Sequence, residues 1–220
     1  MSFEIIKLKG KYDSKTENVR NFYTSNPFPN YKEDDNKATI LKKGNKSLLS
    51  KKIKNLFRNK KKILEVGSGT CQLAAYFAID TNNEVYALDA TLKSLEVGKN
   101  FAEKNNIKNI KFLNGNILDN NIKKEYFDLV WCNGVLHHTT DPYLGFKNSL
   151  SYLKKNGLIL VGMYNYYGRF TTKVMQILYK IFGKKVILIL DPIAKELKKG
   201  ENEKNAWIED QFNHPLEKTY

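Results

Sequence analysis

Short runs of consecutive apolar residues alternate along the chain with longer stretches whose apolar positions recur every three or four residues. "KILEV" (62–66), "EVYALD" (84–89), "IKFLN" (110–114), "FDLVWCN" (127–133) and "GLILVGMY" (157–164) read as buried strands. Helical spacing between them predicts helices over 71–80, 92–104 and 141–153. Ahead of the first strand, 13–24 predicts a short helix ending at "NPFPNY" (26–31), where two prolines exclude regular structure. Leu41, Leu48, Leu49, Ile53, Leu56 and Phe57 give one apolar side to a helix over 39–57, with lysines opposite. Alternating strands and helices imply an α/β, doubly wound parallel sheet of five strands covered on both faces. Ligands of such sheets bind beyond the carboxyl ends of the strands. After 164, "GRFTTKVMQILYKIFG" and "KKVILILDPIAKELKK" predict further helices, without a hairpin signal.

The first strand runs into "EVGSGTCQ" (65–72), a glycine-rich turn. A dinucleotide fingerprint requires a third glycine at position 72, which is Gln72. Glu65 also sets a carboxylate at the strand end, where it repels pyrophosphate. A ligand with a positive centre suits this site better, and S-adenosyl-L-methionine, with its ammonium and sulfonium, has that character. Gly67 and Gly69, with Ser68 between them, let the backbone approach the methionine half closely. Asp89, twenty residues after Gly69 and followed by Ala90, sits where an acid accepts from both ribose hydroxyls; capping of the next helix is its plainer role. Asn116 and Ile117 follow the third strand, where an adenine is bonded and backed, and Asp119 reads as a turn residue. Asn133, with Gly134, leaves the fourth strand toward the same cleft.

On these motifs, "LEVGSGT", "ALDAT", "NGNILD" and "FDLVWCNGVLHHTTDP", residues 63–164 resemble the class I S-adenosylmethionine-dependent methyltransferases. The resemblance implies a Rossmann-like, mostly parallel sheet and methyl transfer from S-adenosylmethionine. The chain departs from the family pattern at Cys71, where a third glycine is usual, and at Asn116, where aspartate is usual. The family's final antiparallel strand pair has no counterpart in the pattern after 164, so the sheet is expected to lack it. A partner chain or further strands would then cover the last strand's edge. The expected organisation is an N-terminal helical arm or lid (1–62), a cofactor-binding core (63–164) and a C-terminal helical segment (165–220), which reads as truncated. "FYTSNPFPNY", "YNYYGR" and "DQFNHPLE" resemble flanking segments of bacterial methyltransferases.

His137 and His138, just past the fourth strand, are the candidate catalytic residues, since a neutral imidazole can take a proton from an attacking hydroxyl, thiol or ring nitrogen. Packing and capping are their structural alternatives. Phe22, Tyr23, Phe28 and Tyr31, with Tyr164, Tyr166 and Tyr167, suit either a lid over the cofactor or a clasp for the arm. The apolar stretch 174–190 is expected to wall a pocket for a small or lipid-like acceptor.

The net charge of +14 raises nucleic acid as a partner. Residues 1–62 carry +11 and 151–220 carry +5, whereas 63–150 carry −2. Of 37 basic residues 34 are lysine, and base readers favour arginine's planar fork. RNA methylation through the lysine-rich arm is therefore the second reading, and a non-catalytic binding protein on the same fold is the third. Cys71 and Cys132 have no metal-type spacing, so no metal is expected. The start "MSFEIIKLKGKYD" lacks an apolar export segment, and no apolar run reaches the ~20 residues of a membrane span. These readings favour the cytoplasm.

Overall fold

The computed structural model describes residues 3–196 and 201–220. Its sheet is built from β1 (Ile5–Lys7), β2 (Lys62–Val66), β3 (Glu84–Asp89), β4 (Ile110–Asn114), β5 (Phe127–Asn133) and β6 (Leu153–Gly162). The strand order is β1-β4-β3-β2-β5-β6, and every pair is parallel. The order reverses at β2, where β3 pairs on one side and β5 on the other, so a crevice opens beyond their carboxyl ends. Four strands match the expected runs residue for residue, and β6 corrects the fifth: it starts four residues early, at Leu153, where the preceding helix was expected to continue, and ends at Gly162. The sixth, β1, corrects the expected count: three residues are too few to display an alternating pattern, yet Ile5–Lys7 pair with Phe112–Asn114. Among the described residues no antiparallel pair lies beside β6.

In the arm, α1 (Ser14–Ser25) is capped by Asp13, which accepts from the amides of Lys15 and Thr16. The helix expected over 39–57 is two, α2 (Lys37–Asn45) and α3 (Leu48–Leu56). Ser47 breaks it by turning extended and accepting from the Ser50 amide, which starts a new helix. Helices α4 (Gln72–Ala78), α5 (Leu92–Lys104) and α6 (Pro142–Ser151) then connect the strands. One apolar layer includes Ile40, Phe77, Ala87, Phe112 and Trp131, the other Leu64, Leu88, Val130, Leu136 and Tyr152. They lie on opposite faces of the sheet because strand side chains alternate.

Past β6 come α7 (Phe170–Phe182), α8 (Lys184–Leu190), α9 (Pro192–Glu196) and α10 (Glu201–Phe212). The two stretches expected to be helical after 164 form α7, α8 and α9, preceded by a turn over 165–169, with positions 197–200 outside the described residues. These helices share a separate small cluster of Ile187, Ala194, Ile208 and Phe212. The final segment returns to the main body. The Lys218 amide donates to the His137 carbonyl, and Tyr220 exchanges backbone bonds with Tyr164 and Tyr166. Arg169 fixes it there: its guanidinium is buried over the Tyr164 ring and grips both carboxylate oxygens of Glu217, at 3.2 and 2.5 Å. Its remaining fork reaches Gln211 at 2.8 Å.

Arg169→Met should therefore leave Glu217 buried and unpaired and lower unfolding free energy by about 3 kcal/mol in a denaturant titration. Arg169→Lys should recover only part of this, because lysine cannot reproduce the two-pronged contact.

Candidate functional site

The crevice is a cavity of about 460 Å³, within the range of small-ligand sites. Its floor is the glycine loop. Gly67 and Gly69 have φ of +64° and +51°, in the left-handed region. A Cβ on Gly67 would lie 2.4 Å from a Val135 methyl, and one on Gly69 would lie 2.2 Å from the Phe28 carbonyl oxygen. The second contact shows what roofs the loop. The "NPFPN" turn lies directly on it, with the Thr70 amide donating to the Phe28 carbonyl at 3.3 Å. The Thr70 hydroxyl donates to the Pro29 carbonyl, and the Gln72 amide to Asn30 at 2.9 Å. Gln72, which excluded the dinucleotide fingerprint, thus anchors the arm. Cys71 also adopts a left-handed φ of +64°, and Gly98 makes space for it, since a Cβ there would meet the Cys71 sulfur at 2.7 Å.

Two carboxylates face this floor. Asp89 accepts from the Gly69 amide at 2.8 Å and from the Thr91 amide at 2.7 Å, leaving lone pairs on both oxygens. Burial raises its pKa, against the pull of those amides. Glu65 is buried and its Oε2 has no hydrogen-bond partner. Burial, and then the neighbouring charge of Asp89, pushes it well above the usual carboxylate range, although the Ala74 amide opposes this. The charged residues lining the cavity are Glu65, Asp89, Asp210 and Arg20. Arg20 is engaged by the Ala90 carbonyl at 3.0 Å and Glu17 at 2.6 Å. The cavity is therefore electronegative and suits a cation. An orphaned carboxylate oxygen beside a glycine cradle fits the ammonium of S-adenosylmethionine.

Ser68, Ala90, Asn116, Ile117 and Asn133 all line the same cavity. The Asn116 side chain is partly spent on local structure: its Oδ1 accepts from the Leu118 amide at 3.0 Å and its Nδ2 donates to the Lys11 carbonyl at 3.2 Å. The histidines part company. His138 lines the cavity, whereas His137 is fully buried outside its lining, with both ring nitrogens unpartnered and its ring stacked on Tyr164 at 3.7 Å. Burial, and then the neighbouring charges of His138 and Arg169, lower the His137 pKa to about 3.

His138 belongs to a second cluster in the cavity lining, assembled largely by α10 and the turn after it. His138 Nδ1 is 2.6 Å from the Leu216 carbonyl oxygen. A carbonyl only accepts, so Nδ1 carries the proton and Nε2 keeps its lone pair in the neutral ring. Burial lowers its pKa, against the Leu216 carbonyl, which favours the protonated form. The ring stacks on His214 at 3.7 Å, and burial holds His214 at about 2. Tyr23 donates to Asp210 at 2.7 Å, and both line the cavity with Tyr164 and Gln211. The aromatic clusters divide as well. Phe28 joins Tyr23 and Tyr164 in the lining, Tyr31 stacks on Phe101 in the core at 4.2 Å, and Tyr166 and Tyr167 are exposed. Asp210, Gln211, His214 and Leu216 carried no chemical pattern of their own, but all fall within "DQFNHPLE", one of the segments that resembles bacterial methyltransferases.

A family model described as a methyltransferase domain matches residues 57–218, which takes in β2 to β6 and the closing segment. An uncharacterized methyltransferase of Bacillus subtilis, YcgJ, is 26% identical over 104 residues, 47% of this chain and 41% of that protein. The chain thus spans less than half the length of this curated relative. Among solved structures, PKMT2 from Rickettsia typhi in complex with AdoHcy is similar at a TM-score of 0.57 and 17% identity, covering 73% of this chain and 36% of that one. The [4+2]-cyclase SpnF is similar at a TM-score of 0.50 and 18% identity, over 71% and 62% of the two chains. Both likenesses concern the fold, on which more than one chemistry is built. The family match reaches further, and the chain belongs to the methyltransferase domain family, within the class I S-adenosylmethionine-dependent superfamily.

Proposed function

We propose that this chain transfers the methyl group of S-adenosylmethionine to a small acceptor bound at the His138 end of the cavity. The observation that carries the reading is the buried, unpartnered Oε2 of Glu65 in an electronegative glycine-loop cavity. Glu65 would take the ammonium of the methionine half, and Asp89 the ribose hydroxyls. Asn116 and Ile117 would meet the adenine, with Gly67, Ser68, Gly69, Ala90 and Asn133 completing the walls. Bound S-adenosylmethionine supplies a methyl group on a positively charged sulfur. Positioning provides much of the rate of an in-line displacement. His138 Nε2 would accept the proton that the acceptor's attacking oxygen or nitrogen loses, while the Leu216 carbonyl stabilises the imidazolium through Nδ1. This reading gives His137 no part in the proton transfer, since it is buried and not among the lining residues.

The lipid-like form of the acceptor loses the support expected from 174–190, since none of those residues lines the cavity. The RNA reading gains nothing from the site, because no lysine lines it among the described residues. Both cysteines are buried and free, as a reducing compartment such as the cytoplasm would leave them.

S-adenosylhomocysteine should bind and raise the melting temperature. Asp89→Ala should weaken that binding by about 1.5–3 kcal/mol in calorimetry, and equal affinities would remove Asp89 as the ribose acceptor. With an acceptor in hand, His138→Asn should lower kcat about 100-fold without changing cofactor affinity. Because the His138 pKa is lowered, the base stays unprotonated to more acid pH, and the acid limb of the kcat profile should fall below about 6.5.

A further inference from the structure

The apolar stretch expected to wall a pocket faces solvent instead. On α7, Phe170, Val174, Ile177 and Ile181 follow a spacing that places them on one side of the helix. Phe170 is 64%, Ile177 58% and Ile181 65% exposed. The other side of α7 is already satisfied, since Met175 and Tyr179 pack against the cluster of Ile187, Ala194, Ile208 and Phe212. Helix α7 therefore has two apolar faces, of which the second meets no core among the described residues. At 1.5 Å per residue the stripe from Phe170 to Ile181 is about 16 Å long. Ile189 and Leu190 on α8 add further exposed apolar surface.

Charge decides what this face fits. Between Asp141 and Asp191 the sequence has eight basic residues and no acidic one. Lys173 and Lys180 lie along one flank of the stripe by helical spacing, where their stems can run over apolar surface. Lys180 and Lys185 are exposed. Two nearby acids are engaged by the protein itself: Glu209 accepts from Tyr179 at 2.6 Å, and Glu217 is held by Arg169. Nucleic acid would meet the lysines but not the isoleucines and phenylalanine. An apolar protein groove would meet the stripe and leave the lysines uncompensated. An anionic bilayer surface accepts both, with apolar side chains at the headgroup–acyl boundary and ammonium groups among the phosphates.

We propose that α7, with α8, is an interfacial docking face for anionic lipid membranes, lying on the bilayer and not crossing it. No helix among the described residues is long and apolar enough to cross. Helix α7 begins six residues after Tyr164, a residue of the cavity lining, and Arg169 just ahead of the helix lies over the Tyr164 ring. The proposal stands apart from the identity of the acceptor, and its test uses no activity readout.

The full chain would be sedimented with vesicles of phosphatidylglycerol and phosphatidylcholine, and with phosphatidylcholine alone. Partitioning to the anionic vesicles should be about tenfold stronger and should fall with added salt. The double variant Ile177→Asp/Ile181→Asp should remove it, and Lys180→Glu/Lys185→Glu should weaken it about tenfold. All four positions are exposed, and cooperative thermal unfolding by circular dichroism would confirm that the variants are folded. Three results would overturn the proposal. One is no vesicle binding by the wild-type chain. Another is binding that the folded variants leave unchanged. The third is a concentration-dependent dimer, dispersed by Ile177→Asp/Ile181→Asp, in place of lipid binding, which would assign the face to a second copy.

Discussion

Two carboxylates emptied into one crevice are the constraint around which the rest of this structure is arranged. Strands β2 and β3 run parallel and in register, with Glu65 opposite Ala87 and Asp89 just beyond Leu88, so both acids leave the sheet on the same side. Unpaired charge in a low-dielectric site is costly. The local fold answers with backbone dipoles: the Gly69 and Thr91 amides turn onto Asp89, which the left-handed glycine positions make possible. Glu65 receives no comparable relief on Oε2. A sequence tuned for stability alone would have no reason to keep that atom buried, and such local conflicts are where function is expected to reside.

A second arrangement closes the cavity from both ends of the chain. The "NPFPN" turn roofs the glycine loop through carbonyl oxygens that accept from Thr70 and Gln72. On the other side, Arg169 anchors the segment that carries Leu216 and His214 to His138. Tyr23 and Asp210, 187 positions apart, join the two closures by one hydrogen bond. The arm and the closing segment thus brace each other across the cavity that they cover.

Strands β2 to β5 were legible in the sequence because they are largely buried on both faces and read as short, mostly apolar runs. The glycine loop and the acid facing it were legible for a related reason: Gly67, Gly69 and Asp89 lie at a recognisable spacing along one short stretch of chain. Long-range contributors were not. Strand β1 is too short to carry a period, and Ser47 splits a continuous apolar stripe through a side-chain bond that periodicity does not record. His137 and His138 are adjacent in sequence yet face different surroundings, a distinction set by Tyr164 and Leu216 far downstream. The stretch 174–190 displayed apolar content but not its direction, and a helix with two apolar faces gives a pattern that fits either burial or exposure.

The separation of the two halves of the cavity has a consequence for how such a protein can diversify. Glu65, the glycine loop, Asp89 and Asn116 come from one contiguous span, whereas Tyr23, Tyr164, Asp210 and Gln211 come from flanking segments. Substitutions in the flanks reshape the parts of the lining that they supply, the Phe28–Pro29 roof over the glycine loop included, while Glu65, Gly67, Gly69, Asp89 and Asn116 stay in place. On the proposed function, a lineage could change its acceptor by drift in the flanks while the residues assigned to the cofactor are kept. The coupling through Leu216 limits that freedom: recombination that exchanges the closing segment alone would also exchange the group that sets the protonation of His138.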